Sequence, residues 1–171
     1  MDATDPMIRP CDPDADRSAL WELKRAFETE LGAAGGDGKA ATYEEKLTDD
    51  YRRRWLAWVD RCVADEPRCV TVASGSTGDS LLGYVFLLPE RLSFVWDAAV
   101  VNEIYVVPGG RGTGVGDDLL EAAVALAREQ DLPLDRLLLD VDPENERARA
   151  FYDRHGFRPW GEVVARGLRE D

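Results

Sequence analysis

The chain has 171 residues, with 34 acidic side chains against 21 lysines and arginines and a formal net charge of −13. That balance argues against a nucleic-acid-binding surface, which needs a basic patch, and no run of eighteen apolar residues is present to cross a membrane. Cys11, Cys62 and Cys69 are odd in number and lack Cys-x-x-Cys spacing, which argues against a disulfide framework or a metal site and suits a reduced cytoplasm.

Met7 to Pro10 reads as a first strand, after an acidic start with no apolar core of a secretory signal. From Ser18 to Leu31, Leu20, Leu23, Phe27 and Leu31 recur at helical spacing, and Gly32 is expected to stop that helix. A flexible loop over Gly32–Ala40 leads to a second helix, which Thr42 and Glu45 would open as a capping box. Its apolar face is Leu47, Tyr51, Trp55, Val59 and Cys62, and Pro67 ends it. The pattern then turns to strands. Cys69–Ala73 and Leu81–Leu88, joined by a turn over Ser74–Ser80, predict an antiparallel hairpin, and Ala98–Val107 a buried strand. A glycine loop opens a helix with the stripe Leu119, Leu120, Ala123, Val124 and Ala127. Arg136–Val141 predicts another strand, Asp142 and Pro143 the start of a helix ending at Gly156, and Val163–Leu168 a last strand. The order predicts one α+β, mixed-sheet domain over residues 1–171.

The loop is the most informative stretch, with Gly109, Gly110, Gly112, Gly114 and Gly116 between a strand and a helix. It fails the Rossmann fingerprint, because counting from Gly112 the sixth position is Asp117. It fails the phosphate loop of nucleotide triphosphatases as well, since no lysine follows Lys46. What remains is Arg111-x-x-Gly114-x-Gly116 at a helix start, where free backbone N–H groups and the helix dipole suit a pyrophosphate. The arginine adds a donor fork.

That stretch resembles the pyrophosphate loop of the GNAT superfamily of acyl-coenzyme-A-dependent N-acetyltransferases. Asn145, Ala148, Tyr152, Gly156 and Phe157 resemble the family's second motif at the right distance. The resemblance implies a GNAT-like fold: a mostly antiparallel mixed sheet of six to seven strands, about four flanking helices and two splayed parallel central strands. It implies acetyl-coenzyme A as cosubstrate without a metal, bound by a core over residues 100–160. Residues 17–66 would form the acceptor side. The loop contacts would be Arg111, Gly112, Thr113, Gly114, Val115 and Gly116. Main-chain groups of Tyr105, Val106 and Val107 would meet the thioester and pantetheine arm, and Asn145 would bond that arm or else only assist its helix. Thr113 stands where the family often has lysine, and Asp117 and Asp118 bring acid close to the expected phosphates.

Glu103 and Tyr152 are the candidate catalytic residues. Period two puts Glu103 on the face of Val101, Tyr105 and Val107 within an apolar strand, where a carboxylate needs a partner or a cleft. The resemblance implies a general base, acting through water; the other reading is a carboxylate at the sheet surface or in an ion pair. Tyr152 would protonate the departing thiolate, as the family's tyrosine does. His155, the only histidine, reads as a C-terminal helix cap. The acceptor is a small-molecule amine or a peptide or protein amine, with Glu22, Glu28 and Glu30 among the carboxylates able to attract it. The chain would act as a monomer or homodimer; the other reading is a non-catalytic or regulatory coenzyme-A-binding module. The acidity has two explanations, a cationic substrate or a high-salt cytoplasm. The second fits three lysines against eighteen arginines.

Overall fold

The computed structural model describes residues 5–36, 38–78 and 80–169. Asp37 and Asp79, in the predicted loop and hairpin turn, lie outside the described residues. Five strands form one sheet in chain order: β1 (Met7–Pro10), β2 (Val70–Ser74), β3 (Leu81–Leu87), β4 (Ala99–Val106) and β5 (Leu137–Leu138). The first three pairings are antiparallel and the last is parallel. The expected hairpin is therefore present. Two strand expectations are corrected. The run Arg136–Val141 contracts to two paired residues, because β4 diverges from it after Val100. Val163–Leu168 forms no strand among the described residues, and its side chains face solvent. Among the described residues the sheet thus has five strands rather than six or seven, and its parallel pair stands at one edge rather than at the centre.

The helices are α1 (Arg17–Ala34), α2 (Lys39–Lys46), α3 (Asp49–Asp65), α4 (Val115–Ala127) and α5 (Glu146–Arg154). Gly32 does not stop α1. A Cβ there would meet Ala40 Cα at 3.0 Å, so this glycine lets α2 cross closely over α1. The predicted second helix is two helices, broken at Leu47 and Thr48. The Thr42–Glu45 box does not form; Thr42 donates to Gly38 O, and Thr48 caps α3 by accepting from Tyr51 N at 3.1 Å. Likewise α5 starts three residues later than Pro143 suggests, with Asn145 as its cap. No helix among the described residues is long and apolar enough to cross a membrane.

Two cores flank the sheet. One packs Leu20 and Trp21 of α1 and Trp55 and Val59 of α3 against Val72, Tyr84, Phe86 and Tyr105. The other packs Leu119, Leu120 and Ala123 of α4 against Val85, Leu87, Ala99 and Val101. The amphipathic stripes read from the sequence are these buried faces.

A bulge in β4 decides which core each residue joins. Phe86 pairs with Glu103 but Leu87 with Val101, so Asn102 is the extra residue. Period two fails across it. Val101 faces α4, whereas Glu103, Tyr105 and Val107 face α1 and α3. The expected sharing of a face by Glu103 and Val101 is corrected by that single inserted residue.

Candidate active site

β5 pairs with β4 only at Ala99–Leu137 and Val100–Leu138. Beyond that point the strands splay, and Val101–Val106 and Leu139–Asp142 line opposite walls of a cavity of about 1150 Å³. The cavity runs from the glycine loop to the inner face of α1, α2 and α3. Arg111, Gly112, Gly114, Gly116, Asn145 and Tyr152 line its loop end; Lys24, Glu28, Lys46, Tyr51, Trp55 and Glu103 line the other.

At the loop end, Asp118 N is the first α4 amide to bond a loop carbonyl, that of Gly114. Val115, Gly116 and Asp117 therefore open the helix with amides lacking an intrahelical acceptor. Gly114 has φ +92° and open space where a Cβ would point, so the loop can turn left-handed and a ligand can approach its backbone. Thr113 donates to Gly110 O, a bond that ties the loop to itself and uses no lysine. The acids near the loop are accounted for differently. Asp118 is exposed. Asp117 accepts from Arg154 at 2.8 Å and stands 2.6 Å from His155 Nε2, joining the start of α4 to the end of α5. Desolvation pushes Asp117 up, but His155 and Arg154 outweigh it and hold the carboxyl below its usual range. His155 is the C-cap of α5, as its position in sequence suggests.

Three expected contacts take another form. The Arg111 fork does not stand free for phosphate: Nε donates to Val106 O at 2.9 Å, and a terminal nitrogen lies 2.7 Å from Glu30. Glu30 also accepts from Tyr105 OH at 2.9 Å and lies 3.5 Å from Arg147. Burial, then Glu30, pushes the Tyr105 phenol up to about 12. Val107 N donates to Leu82 O at 2.8 Å, so its amide faces β3. Strand alternation turns Tyr105 the same way and Val106 toward the gap. Asn145 caps α5 by accepting from Ala148 N at 3.1 Å. Of its two readings the helix role is visible, although it also lines the cavity.

Tyr152 projects from α5 into the cavity and packs against Phe151 and Phe157. Burial, with a smaller push from Asp140, raises its phenol to about 12. Its proton therefore stays in place at neutral pH.

The other end is built from charge and aromatic rings. Glu103 is 5% exposed and holds three donors: Lys24 Nζ at 2.6 Å, Trp55 Nε1 at 3.1 Å and Tyr84 OH at 3.0 Å. The ion pair with Lys24 is the partner that a carboxylate within an apolar strand needs. Lys24 also bonds Glu28. Burial pulls the Lys24 ammonium down, but Glu103 and Glu28 outweigh it and raise its pKa. Burial and Glu103 raise Tyr84 as well. Lys24, Glu28 and Lys46 were not singled out by the sequence reading as a cluster. The signal was present: Lys24 and Glu28 are one turn apart within the apolar stripe of α1, where unpaired charge is costly.

The coenzyme A implied by the sequence resemblance fits these residues. The splayed gap offers the unpaired edge of β4, and the loop offers open backbone at a helix start.

Comparison with known proteins agrees with the geometry. The chain is 33% identical over 119 residues to the phosphinothricin N-acetyltransferase of Streptomyces coelicolor, covering 68% of this chain and 66% of that protein. It is 41% identical over 167 residues to the mycothiol acetyltransferase of Salinispora tropica, covering 85% and 53%. The chain therefore spans about half to two thirds of these relatives' length. Among solved structures, the PaiA N-acetyltransferase of Thermoplasma acidophilum in complex with coenzyme A superposes with a TM-score of 0.69 at 18% identity, covering 90% and 89% of the two chains. A GCN5-related N-acetyltransferase from Ralstonia eutropha superposes at 0.66 with 21% identity, covering 96% and 99%. These two likenesses speak to the fold. The family model described as acetyltransferase (GNAT) family matches residues 21–157, which hold most of α1, the splayed strands and the glycine loop alike; this chain belongs to that family.

Proposed function

We propose that the chain moves an acetyl group from acetyl-coenzyme A to a primary amine by direct attack in a ternary complex, in a reduced cytoplasm and as a monomer or homodimer. One observation carries this reading. A single cavity joins the glycine loop to the Glu28–Lys24–Glu103 cluster, so donor and acceptor ends share one space. Acetyl-coenzyme A supplies the activated thioester carbonyl. The chain's own residues do the rest.

The open turn of α4 binds the pyrophosphate, and Val106 on the free edge of β4 orients the carbonyl. Tyr152 holds a proton at its phenol oxygen and delivers it to the departing sulfur. The amine must lose a proton before attack. Glu103 already accepts three hydrogen bonds, so its part is to fix Lys24, and through Lys24 to fix Glu28. Glu28 Oε2, at the cavity wall with only the exchangeable Lys46 ammonium beside it, takes the proton of the amine once the substrate displaces Lys46. The aromatic side chains Tyr51, Trp55 and Trp58 line that wall and exclude water.

Similar chains are named for acceptors of both expected kinds, a phosphinothricin and a ribosomal-protein alanine. Thiol release from acetyl-coenzyme A across a library of amines tests the proposal. Release that depends on an amine supports it; tight coenzyme A binding without turnover on any amine favours the non-catalytic module instead.

A further inference from the structure

The sequence has only Lys24, Lys39 and Lys46, and all three line this cavity. In a chain of net charge −13 that relies on arginine elsewhere, this is an unusual allocation. Lys24 is consumed by its two carboxylates. Lys39 pairs with Asp142 across the mouth of the gap and lies over the Tyr43 ring. Lys46 is different. Its side chain is 36% exposed, its ammonium lies 4.2 Å from the Tyr43 ring centre and 5.5 Å from that of Tyr51, and it stands 2.6 Å from Glu28 Oε2. That approach is poorly aligned for a hydrogen bond, so Glu28 Oε2 is buried in an ion pair whose geometry a better-placed ammonium would improve.

An ion pair that lines a cavity, with one partner buried and unsatisfied and the other reachable from solvent, is a template for a zwitterion. The ligand's ammonium replaces Lys46 at Glu28 Oε2 and supplies an aligned donor. Its anionic group then takes the Lys46 ammonium so released. Both charges of the protein remain compensated throughout. A plain amine would leave Lys46 unpaired beside its own positive charge, and a peptide N-terminus brings no adjacent anion.

We propose that the acceptor is a small amino acid or close analogue, held by Glu28 at its ammonium and by Lys46 at its carboxylate or equivalent anion. This names a substrate class for the amine acceptor proposed above and rests on that reading.

The test is equilibrium binding to coenzyme-A-saturated protein, by calorimetry, of the twenty L-amino acids and their carboxamides. At least one acid is expected to bind about ten-fold tighter than its amide, the scale of one charge-assisted hydrogen bond. Lys46→Gln should collapse that acid-to-amide ratio toward one, and Lys46→Arg should restore most of it. Amides that bind as tightly as their acids, a ratio unmoved by Lys46→Gln, or no binding by any amino acid would each overturn the proposal. Acetyl transfer is read separately. Binding with the acid preference but without transfer overturns the transferase reading and leaves this subsite standing; transfer to amines with no acid preference does the reverse.

Discussion

The two ends of the cavity are made of different materials. The loop end is largely backbone: amides at the start of α4, the free edge of β4 and a left-handed glycine. The helix end is side chains: two lysines and two carboxylates interleaved among aromatic rings. Backbone sites tolerate many side chains but few changes of conformation. Side-chain sites have the opposite sensitivity, because each buried charge depends on its partner. The loop end can thus keep its shape under acidic neighbours such as Asp118, while the helix end is open to specialisation.

That contrast can be broken by experiment. Glu103→Ala leaves Lys24 buried beside Glu28 alone and is expected to cost about 3 kcal/mol of stability, read from urea denaturation. The triple change Lys24→Met, Glu28→Gln and Glu103→Leu, which removes all three buried charges together, should cost much less, and an equal loss would show that the cluster is not the source. The pair also has a pH signature. Lys24 is raised above its ordinary value of 10.5, so its contribution is fully present below that pH. It should fade only as pH rises above 10.5, toward the higher folded-state value. Fading that begins near neutrality would contradict the assignment.

Tyr152→Phe is expected to lower kcat by about 100-fold, within the usual range for a lost general acid, with coenzyme A affinity almost unchanged. Stopped-assay kinetics alongside direct binding separate the two, and an unaltered kcat would remove the role. Gly114→Val meets nothing at its Cβ but forces a β-branched residue to positive φ. It should weaken coenzyme A binding by about ten-fold, from roughly 1–2 kcal/mol of backbone strain. Glu30→Gln tests the smallest effect. Glu30 holds Arg111 and faces Arg147, so releasing them should tighten coenzyme A binding about three-fold, as expected of partly exposed ion pairs worth under about 1 kcal/mol. Weaker binding would mean that Glu30 orders the arginines for the ligand rather than competing with it.

Much of the loop end was legible in the chain. Arg111, Gly114 and Gly116 lie close together in sequence, and local spacing at a strand–helix junction carries the whole motif. The α5 motif was legible for the same reason, although its start was misplaced because Asp142 bonds Lys39 and the Glu144 amide instead of capping the helix. Asp117 looked adverse in sequence; its partners Arg154 and His155 lie 37 and 38 residues away.

Sequence alone determined the elements whose causes are local: the amphipathic stripes of α1, α3 and α4, the β2–β3 hairpin and the glycine loop. Periodicity and turn chemistry act over a few residues and need no neighbour in space. Tertiary structure alone decided which face Glu103 occupies, since one bulge at Asn102 reverses the alternation. It also decided what Glu103 does there, since its partners come from α1, α3 and β3, between 19 and 79 residues away. A buried carboxylate is defined by the donors that reach it, and those donors are brought together only when the helices pack on the sheet.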